Sequence, residues 1–193
     1  GDWVKARGGD LDALRTHEDR VPPELHQTTW VSECALEFIA EDRAPDTPWM
    51  LTLNPYSPHE PLIPPRVYAD QFNPADMPGP HFQESDLAQQ EALEDIVFQT
   101  RGQHPDTFNG KKQQALYYAM INQIDDQFAR ILDGLERTGQ RDNTIIIFTS
   151  DHGETLGDHG LIAKGCRFYE GPGQRGWGCG DLRERHSPRV YDH

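Results

Sequence analysis

Asp151 and His152 stand side by side in Ser150-Asp151-His152-Gly153-Glu154, a carboxylate next to an imidazole, both of which bind divalent cations. The stretch before them, Thr144-Ile145-Ile146-Ile147-Phe148-Thr149, is a β-branched and aromatic run too short for a helix. Such a run predicts a strand buried on both faces, as in a parallel sheet. Ligands at the carboxyl end of that strand stand where open α/β sheets keep their sites, and Gly153 allows a sharp turn away from them. A Gly-punctuated loop follows, carrying Glu154, Asp158, His159 and Lys164. A polar pair after a buried strand also reads as a turn with a solvated carboxylate, but loops this dense in chemistry are rarely inert. Glu154 suits orienting a ligand from behind; His159 suits either a direct role or a local hydrogen bond.

A further candidate lies far upstream. Pro48-Trp49-Met50-Leu51-Thr52-Leu53-Asn54 predicts another buried strand and runs into Pro55-Tyr56-Ser57-Pro58-His59-Glu60-Pro61. The prolines exclude helix and hold His59 in a stiff loop just past the strand end. Taken alone, a histidine between prolines is more often a surface residue than a ligand. Between the two strands, Leu116, Met120, Ile124, Phe128, Ile131 and Leu135 recur every three or four residues, which predicts a helix over Lys111–Arg137 stopped by Gly139. Strand, helix and strand predict a right-handed βαβ unit with parallel strands. Their carboxyl ends then share one sheet edge, which would bring His59 to Asp151 and His152. Asp125-Asp126 on the helix are neighbours that face different ways, which favours a solvated or packing role over a paired-carboxylate site.

Elsewhere, Val31, Ala35, Phe38 and Ile39 predict a helix over Thr28–Glu41, with Thr28 and Thr29 as caps. Residues 62–110 are rich in proline, acids and amides and read as a long excursion with short helices near Pro65–Gln71 and Leu87–Thr100. Residues 1–23 read as irregular surface structure with a short helix near Leu11–Arg15. The 193 residues, 35% of them hydrophobic, suffice for one domain or a piece of one. A formal charge of −14 repels nucleic acid and anionic membrane, so neither is expected as a partner. An anionic substrate would need a metal, Lys or Arg to reverse the field locally. No run approaches the length of a membrane-spanning helix, and no leader pattern opens a chain that begins abruptly at Gly1-Asp2-Trp3. Cytoplasmic and periplasmic or secreted locations, and any oligomeric state, are compatible with this composition.

Thr149-Ser150-Asp151-His152-Gly153-Glu154-Thr155-Leu156-Gly157-Asp158-His159-Gly160-Leu161, then Lys164-Gly165 and Phe168-Tyr169-Glu170-Gly171, resembles the metal-binding segment of the sulfatase family, within the alkaline-phosphatase-like superfamily. Pro58-His59-Glu60-Pro61 resembles the Pro-His-x-Pro segment whose histidine lines the sulfatase active site. Covering about Gln27 to Gly171, the resemblance implies an α/β, alkaline-phosphatase-like fold, a mostly parallel sheet flanked by helices, here as an incomplete domain. It implies hydrolysis of small-molecule or glycan sulfate esters. It puts Asp151 and His152 on a divalent metal, and Lys164 and His59 on the sulfate and leaving group. Calcium is the family expectation, and the imidazole ligand keeps manganese open. Phosphonate monoester hydrolases and phosphodiesterases of the superfamily share Asp-His and the downstream lysine, and a non-catalytic remnant is the rival reading.

Two parts of the family pattern are not in these residues: the Cys-x-Pro/Ala-x-Arg motif that yields a formylglycine nucleophile, and an Asp-Asp pair that completes the metal shell. In the family both lie N-terminal to this region, so formylglycine is expected only in a missing N-terminal part. Cys179-Gly180-Asp181-Leu182-Arg183 has the spacing but Asp181 in place of Pro or Ala, and neither Cys34 nor Cys166 has an arginine four residues on. The expectation is a partial sulfatase-like catalytic domain over residues 1–171 and a tail over residues 172–193 with no fixed fold. Without the nucleophile, the 193-residue chain is expected not to hydrolyse sulfate esters.

Overall fold

The computed structural model describes residues 22–41, 47–91 and 101–162. The expected helix near Leu11–Arg15, the second half of the one expected over Leu87–Thr100, Lys164 and the tail over residues 172–193 lie outside the described residues. Four α-helices follow in order, α1 (Gln27–Ala40), α2 (Arg66–Ala69), α3 (Glu84–Glu91) and α4 (Gly110–Arg137), with 3-10 turns at Pro23–Leu25, Pro74–Asp76, Pro105–Thr107, Arg141–Asn143 and Asp158–Gly160.

The long helix α4 begins and ends where local chemistry dictates. Asn109, left-handed at φ 52°, accepts a hydrogen bond from the Lys112 N–H on its side chain at 3.2 Å, and Gly139 turns the chain away at φ 67°. Its most buried face shares only Met120 and Leu135 with the aliphatic stripe. Ala115, Ala119, Met120, Gln123, Gln127, Gly134 and Leu135 are buried, whereas Leu116, Ile124, Phe128 and Ile131 are only half-buried. The small and amide residues admit α1 at close range. Gln123 Nε2 donates to Thr29 Oγ1 at 3.5 Å, Arg130 pairs with Glu33, and Gln140 Nε2 donates to the Ile39 carbonyl at 2.9 Å. These contacts climb both helices in the same order, so α1 and α4 run parallel.

The first helix starts one residue earlier than the expected caps. His26 Nδ1 accepts from the Thr28 N–H at 3.3 Å, since a neutral imidazole nitrogen is an acceptor. Thr28 and Thr29 are freed for other work inside the first turn. Thr28 Oγ1 donates to Ser57 Oγ at 2.9 Å, and Thr29 Oγ1 donates to the Pro23 carbonyl at 2.7 Å.

Residues 62–83 cross the outer flank of α4, as three polar contacts record. Tyr68 of α2 hydrogen-bonds Asp126, Asn122 Nδ2 donates to Gln71 Oε1 at 3.0 Å, and the Gly79 N–H donates to Gln114 Oε1 at 3.0 Å. Asp126 thus holds the excursion to the helix, and Asp125 is exposed.

Neither of the two expected strands is paired among the described residues. Both segments nevertheless alternate in burial. Trp49, Leu51 and Leu53 are half-buried and Met50, Thr52 and Asn54 exposed; Thr144 and Ile146 are half-buried and Ile145 and Ile147 exposed. Period-two alternation is what an extended chain gives when one face lies on a support and the other is open. The support is the helix layer: Trp49 packs edge-on against Phe38 with ring centroids 5.6 Å apart, and Phe148 meets Phe128 at 5.2 Å. The open face carries Met50 at 89%, Ile145 at 81% and Ile147 at 69% exposure, and Phe148, although it meets Phe128, is still 61% exposed. Burial on both faces, expected from the apolar run, is therefore not realised, because nothing among the described residues covers the second face.

The direction of both segments follows from their anchors. They start at one corner, where Trp49 Nε1 donates to Gln140 Oε1 at 3.2 Å and Thr144 Oγ1 donates to the Gln140 carbonyl at 2.7 Å. One runs back along α1 from Phe38 at Trp49 to Thr28 at Ser57. The other runs back along α4 through Phe128 at Phe148. Since α1 and α4 are parallel, the two segments point the same way, each toward the N-terminal end of its helix.

Candidate metal centre

Asp151 and His152 form the compact part of the site. Asp151 Oδ1 accepts from the His152 N–H at 2.8 Å, which leaves Oδ2 turned toward the imidazole. His152 Nδ1 lies 2.9 Å from the Gly153 carbonyl oxygen. A carbonyl only accepts, so Nδ1 carries the proton and Nε2 keeps its lone pair. That lone pair is 3.6 Å from Asp151 Oδ2. Two ligands bound at right angles to one cation, each at about 2.0 to 2.6 Å, stand about 2.8 to 3.7 Å apart. The donor pair therefore fits part of a cation's shell. It is only part: no group of three or more His, Cys, Asp or Glu side chains gathers for a metal among the described residues. The Asp151 side chain is largely exposed and that of His152 about half so.

Helix α4 contributes a residue that the sequence reading passed over. Burial pushes the Tyr117 phenol up to about 12, and the negative charges of Glu154 and Asp151 push in the same direction. Tyr117 is thus a neutral hydroxyl beneath the Asp151–Glu154 loop at any working pH. Its only sequence signal was an aromatic residue directly after Leu116 of the helical stripe.

His59 is anchored through its neighbours. Ser57 is buried against Thr28, the Tyr56 N–H donates to Gln27 Oε1 at 3.3 Å, and the His59 N–H closes a turn on the Tyr56 carbonyl at 3.0 Å. The His59 ring meets Tyr56 in a tilted contact with centroids 4.9 Å apart, and its Nδ1 is 2.8 Å from the Glu60 carbonyl oxygen. Among the described residues it makes no hydrogen bond with Asp151 or His152, although both loops leave segments pointing the same way. Burial lowers the pKa of His26, which caps α1 beside this loop, and a hydrogen bond with the Ile63 backbone partly offsets that.

The loop beyond Asp151 turns at different residues from the one expected. Leu156, Gly157, His159 and Gly160 have φ of 50°, 102°, 56° and 73°, so the sharp reversal comes there and not at Gly153. His159 does not reach Asp151. Its ring faces the excursion, with Nδ1 3.5 Å from Asp86 Oδ1 on α3. Glu154 is half-buried and accepts from the Thr155 N–H at 3.3 Å. Lys164 lies outside the described residues.

A profile of the Sulfatase family matches residues 7–180. An arylsulfatase of Clostridium perfringens is 36% identical over 154 residues, 76% of this chain and 30% of its own. The multifunctional alkaline phosphatase superfamily protein PehA of Trinickia caryophylli is 33% identical over 176 residues, 84% of this chain and 34% of its own. The crystal structure of the phosphonate monoester hydrolase of Agrobacterium radiobacter superposes with a TM-score of 0.66 at 29% identity, over 77% of this chain and 32% of that one. The chain thus spans about a third of the length of these relatives, with their alkaline-phosphatase-like fold. On the profile match and these identities, the chain belongs to the sulfatase family.

Proposed function

We propose that this chain carries the Asp-His half of a metal-dependent sulfate-monoester hydrolase site. The observation that carries the reading is the convergence of Asp151 Oδ2 and His152 Nε2 at 3.6 Å, with Nδ1 tied back to the Gly153 carbonyl. Asp151 and His152 would hold the ion, calcium or manganese, which when bound polarises ester oxygens. His59 would stand at the leaving oxygen as hydrogen-bond donor or general acid, and Lys164 would offset the charge of the sulfate. Residues 1–171 are then part of a catalytic domain whose mostly parallel sheet includes the segments Met50–Asn54 and Thr144–Thr149, and residues 172–193 stand apart from it. A formylglycine would come from outside these 193 residues, as would further ligands for a hard cation that wants about six.

Mn2+ titration of the purified chain beside Asp151→Ala, read by water-proton relaxation, tests the site. Weak binding that the substitution abolishes supports the proposal; identical behaviour of both proteins refutes it. The same chain should show no aryl sulfate turnover, and turnover abolished by Asp151→Ala would mean that the nucleophile lies within it. The likeness to the phosphonate monoester hydrolase favours a second reading, hydrolysis of phosphonate monoesters or phosphodiesters at the same residues. With the rest of the domain restored, turnover of aryl sulfate against a phosphonate monoester separates the two, and inactivity toward both leaves the non-catalytic remnant.

A further inference from the structure

We infer that His159 and Asp86 form a clasp that seats residues 81–91 and 101–104 against the metal loop, which makes His159 a positioning residue for a wall of the site. Four backbone-directed hydrogen bonds join the two pieces. The His81 N–H donates to Asp158 Oδ1 at 2.8 Å, the His159 N–H donates to the His81 carbonyl at 2.7 Å, the Gln103 N–H donates to the Gly160 carbonyl at 2.8 Å, and Gln90 Nε2 donates to the His159 carbonyl at 3.2 Å. All four meet within Asp158–Gly160, a turn held in left-handed conformation at His159 and Gly160. A histidine there is strained by about 1 to 2 kcal/mol relative to an ordinary conformation, so something must hold it.

The Asp86 carboxylate is the group placed to do so. It is 7% exposed, its Oδ2 accepts from the Gln83 N–H at 2.8 Å at the start of α3, and its Oδ1 faces His159 Nδ1 at 3.5 Å. Leu161, wholly buried directly after the turn, anchors the other side. The excursion, chemically silent in the sequence, is thereby fixed to the strand-end loop that carries Asp151 and His152. The inference rests on the metal reading only for what the wall encloses; the clasp itself stands on the contacts above.

Asparagine and leucine at position 159 isolate the polar atom, because Asn Nδ2 and a Leu methyl occupy the place of His Nδ1. Leucine is already tolerated at a positive φ in this loop, at Leu156. Amide exchange of the full chain is read at His81 and Gln103. His159→Leu should speed exchange at both by about tenfold, the loss of one charge-assisted contact. His159→Asn should stay near the native rate, and adding His159→Leu to Asp86→Asn should change little further. Equal rates for His159→Asn and His159→Leu would overturn the clasp. A second arm adds Mn2+ alone and follows paramagnetic broadening. Broadening at Gly153, His81 and Gln103 in the native chain, lost at His81 and Gln103 but kept at Gly153 in His159→Leu, supports positioning. Broadening kept at all three in that variant overturns it. No broadening at Gly153 in the native chain strikes the metal reading instead, and the exchange rates then decide the clasp by themselves.

Discussion

Replacing Gly160 by alanine should be among the costliest single-methyl changes in this chain, and the structure says by how much it should exceed a matched control. Gly160 has φ 73°, and a Cβ built there would lie 2.8 Å from the Gln103 carbonyl oxygen and 3.3 Å from Phe82 Cε2. Gly139 has nearly the same φ, 67°, with nothing within 4 Å of its Cβ position. Both substitutions carry the left-handed penalty of an L-residue, about 1 to 2 kcal/mol. Only Gly160→Ala must also push a backbone carbonyl that belongs to the residue whose N–H bonds the Gly160 oxygen, and such overpacking costs about 1 to 3 kcal/mol more. The expected losses are about 1 to 2 kcal/mol for Gly139→Ala and about 2 to 5 kcal/mol for Gly160→Ala. Urea unfolding followed by circular dichroism gives both at constant m-value. Equal losses in the two variants would refute the close approach of the two backbones at Gly160, and with it the seating of the excursion.

Three further outcomes follow from the same geometry. Ile145→Thr with Ile147→Lys, both on the open face, should raise the soluble monomer fraction in sedimentation without lowering helix content; a loss of helix would mean that those side chains are packed. Tyrosine absorbance titration should show one phenol, Tyr117, ionising near 12, and Glu154→Gln should lower it only in part, since burial is the larger cause; a return to the ordinary value would invert that order. The depressed pKa of His26 makes the unfolded chain bind its proton first as pH falls below about 6.5, so stability is full above that value and declines through the window beneath it. His26→Asn keeps a capping acceptor and should flatten that decline in unfolding midpoints measured across pH 7 to 5; an unchanged slope would exonerate His26.

Helix α4 was legible because a six-position apolar stripe and a stop signal act over many residues, and both ends came out within a residue. Its contact with α1 was not legible, because it uses Gln123, which pairs with Thr29, and Gly134, which lies against Leu36, residues that carry no hydrophobic signal. The cap of α1 went to His26 in place of threonine for a similar reason: any side-chain acceptor at the right φ/ψ will serve, and the threonines had long-range partners that a local pattern cannot reveal. That the Asp151 and His152 side chains lie close together follows from their adjacency in sequence. The direction in which His159 faces was not, since its partner Asp86 stands far upstream in a stretch that reads as featureless.

The uncovered stripe of α4 and the open face of the two extended segments belong to one account. Among the described residues Leu116, Ile124, Phe128 and Ile131 are half-buried, Phe128 meets Phe148, and the Thr144–Thr149 segment in turn exposes Ile145, Ile147 and Phe148. Burying Met50, Ile145, Ile147 and Phe148 fully would each contribute about 1.5 to 3 kcal/mol, so about 6 to 12 kcal/mol together. That sum is comparable with the whole stability of an ordinary domain. Two co-directional segments, backed by parallel helices on one side and, among the described residues, bare on the other, have the pattern of one face of a three-layer α/β unit. His59 and Asp151 follow the ends of those segments, so packing on the open face bears on the spacing between them. Covering that face and assembling the site are on this account a single event: a variant that weakens the packing of Ile147 or Phe148 in the restored domain should lower turnover together with stability, without touching any ligand.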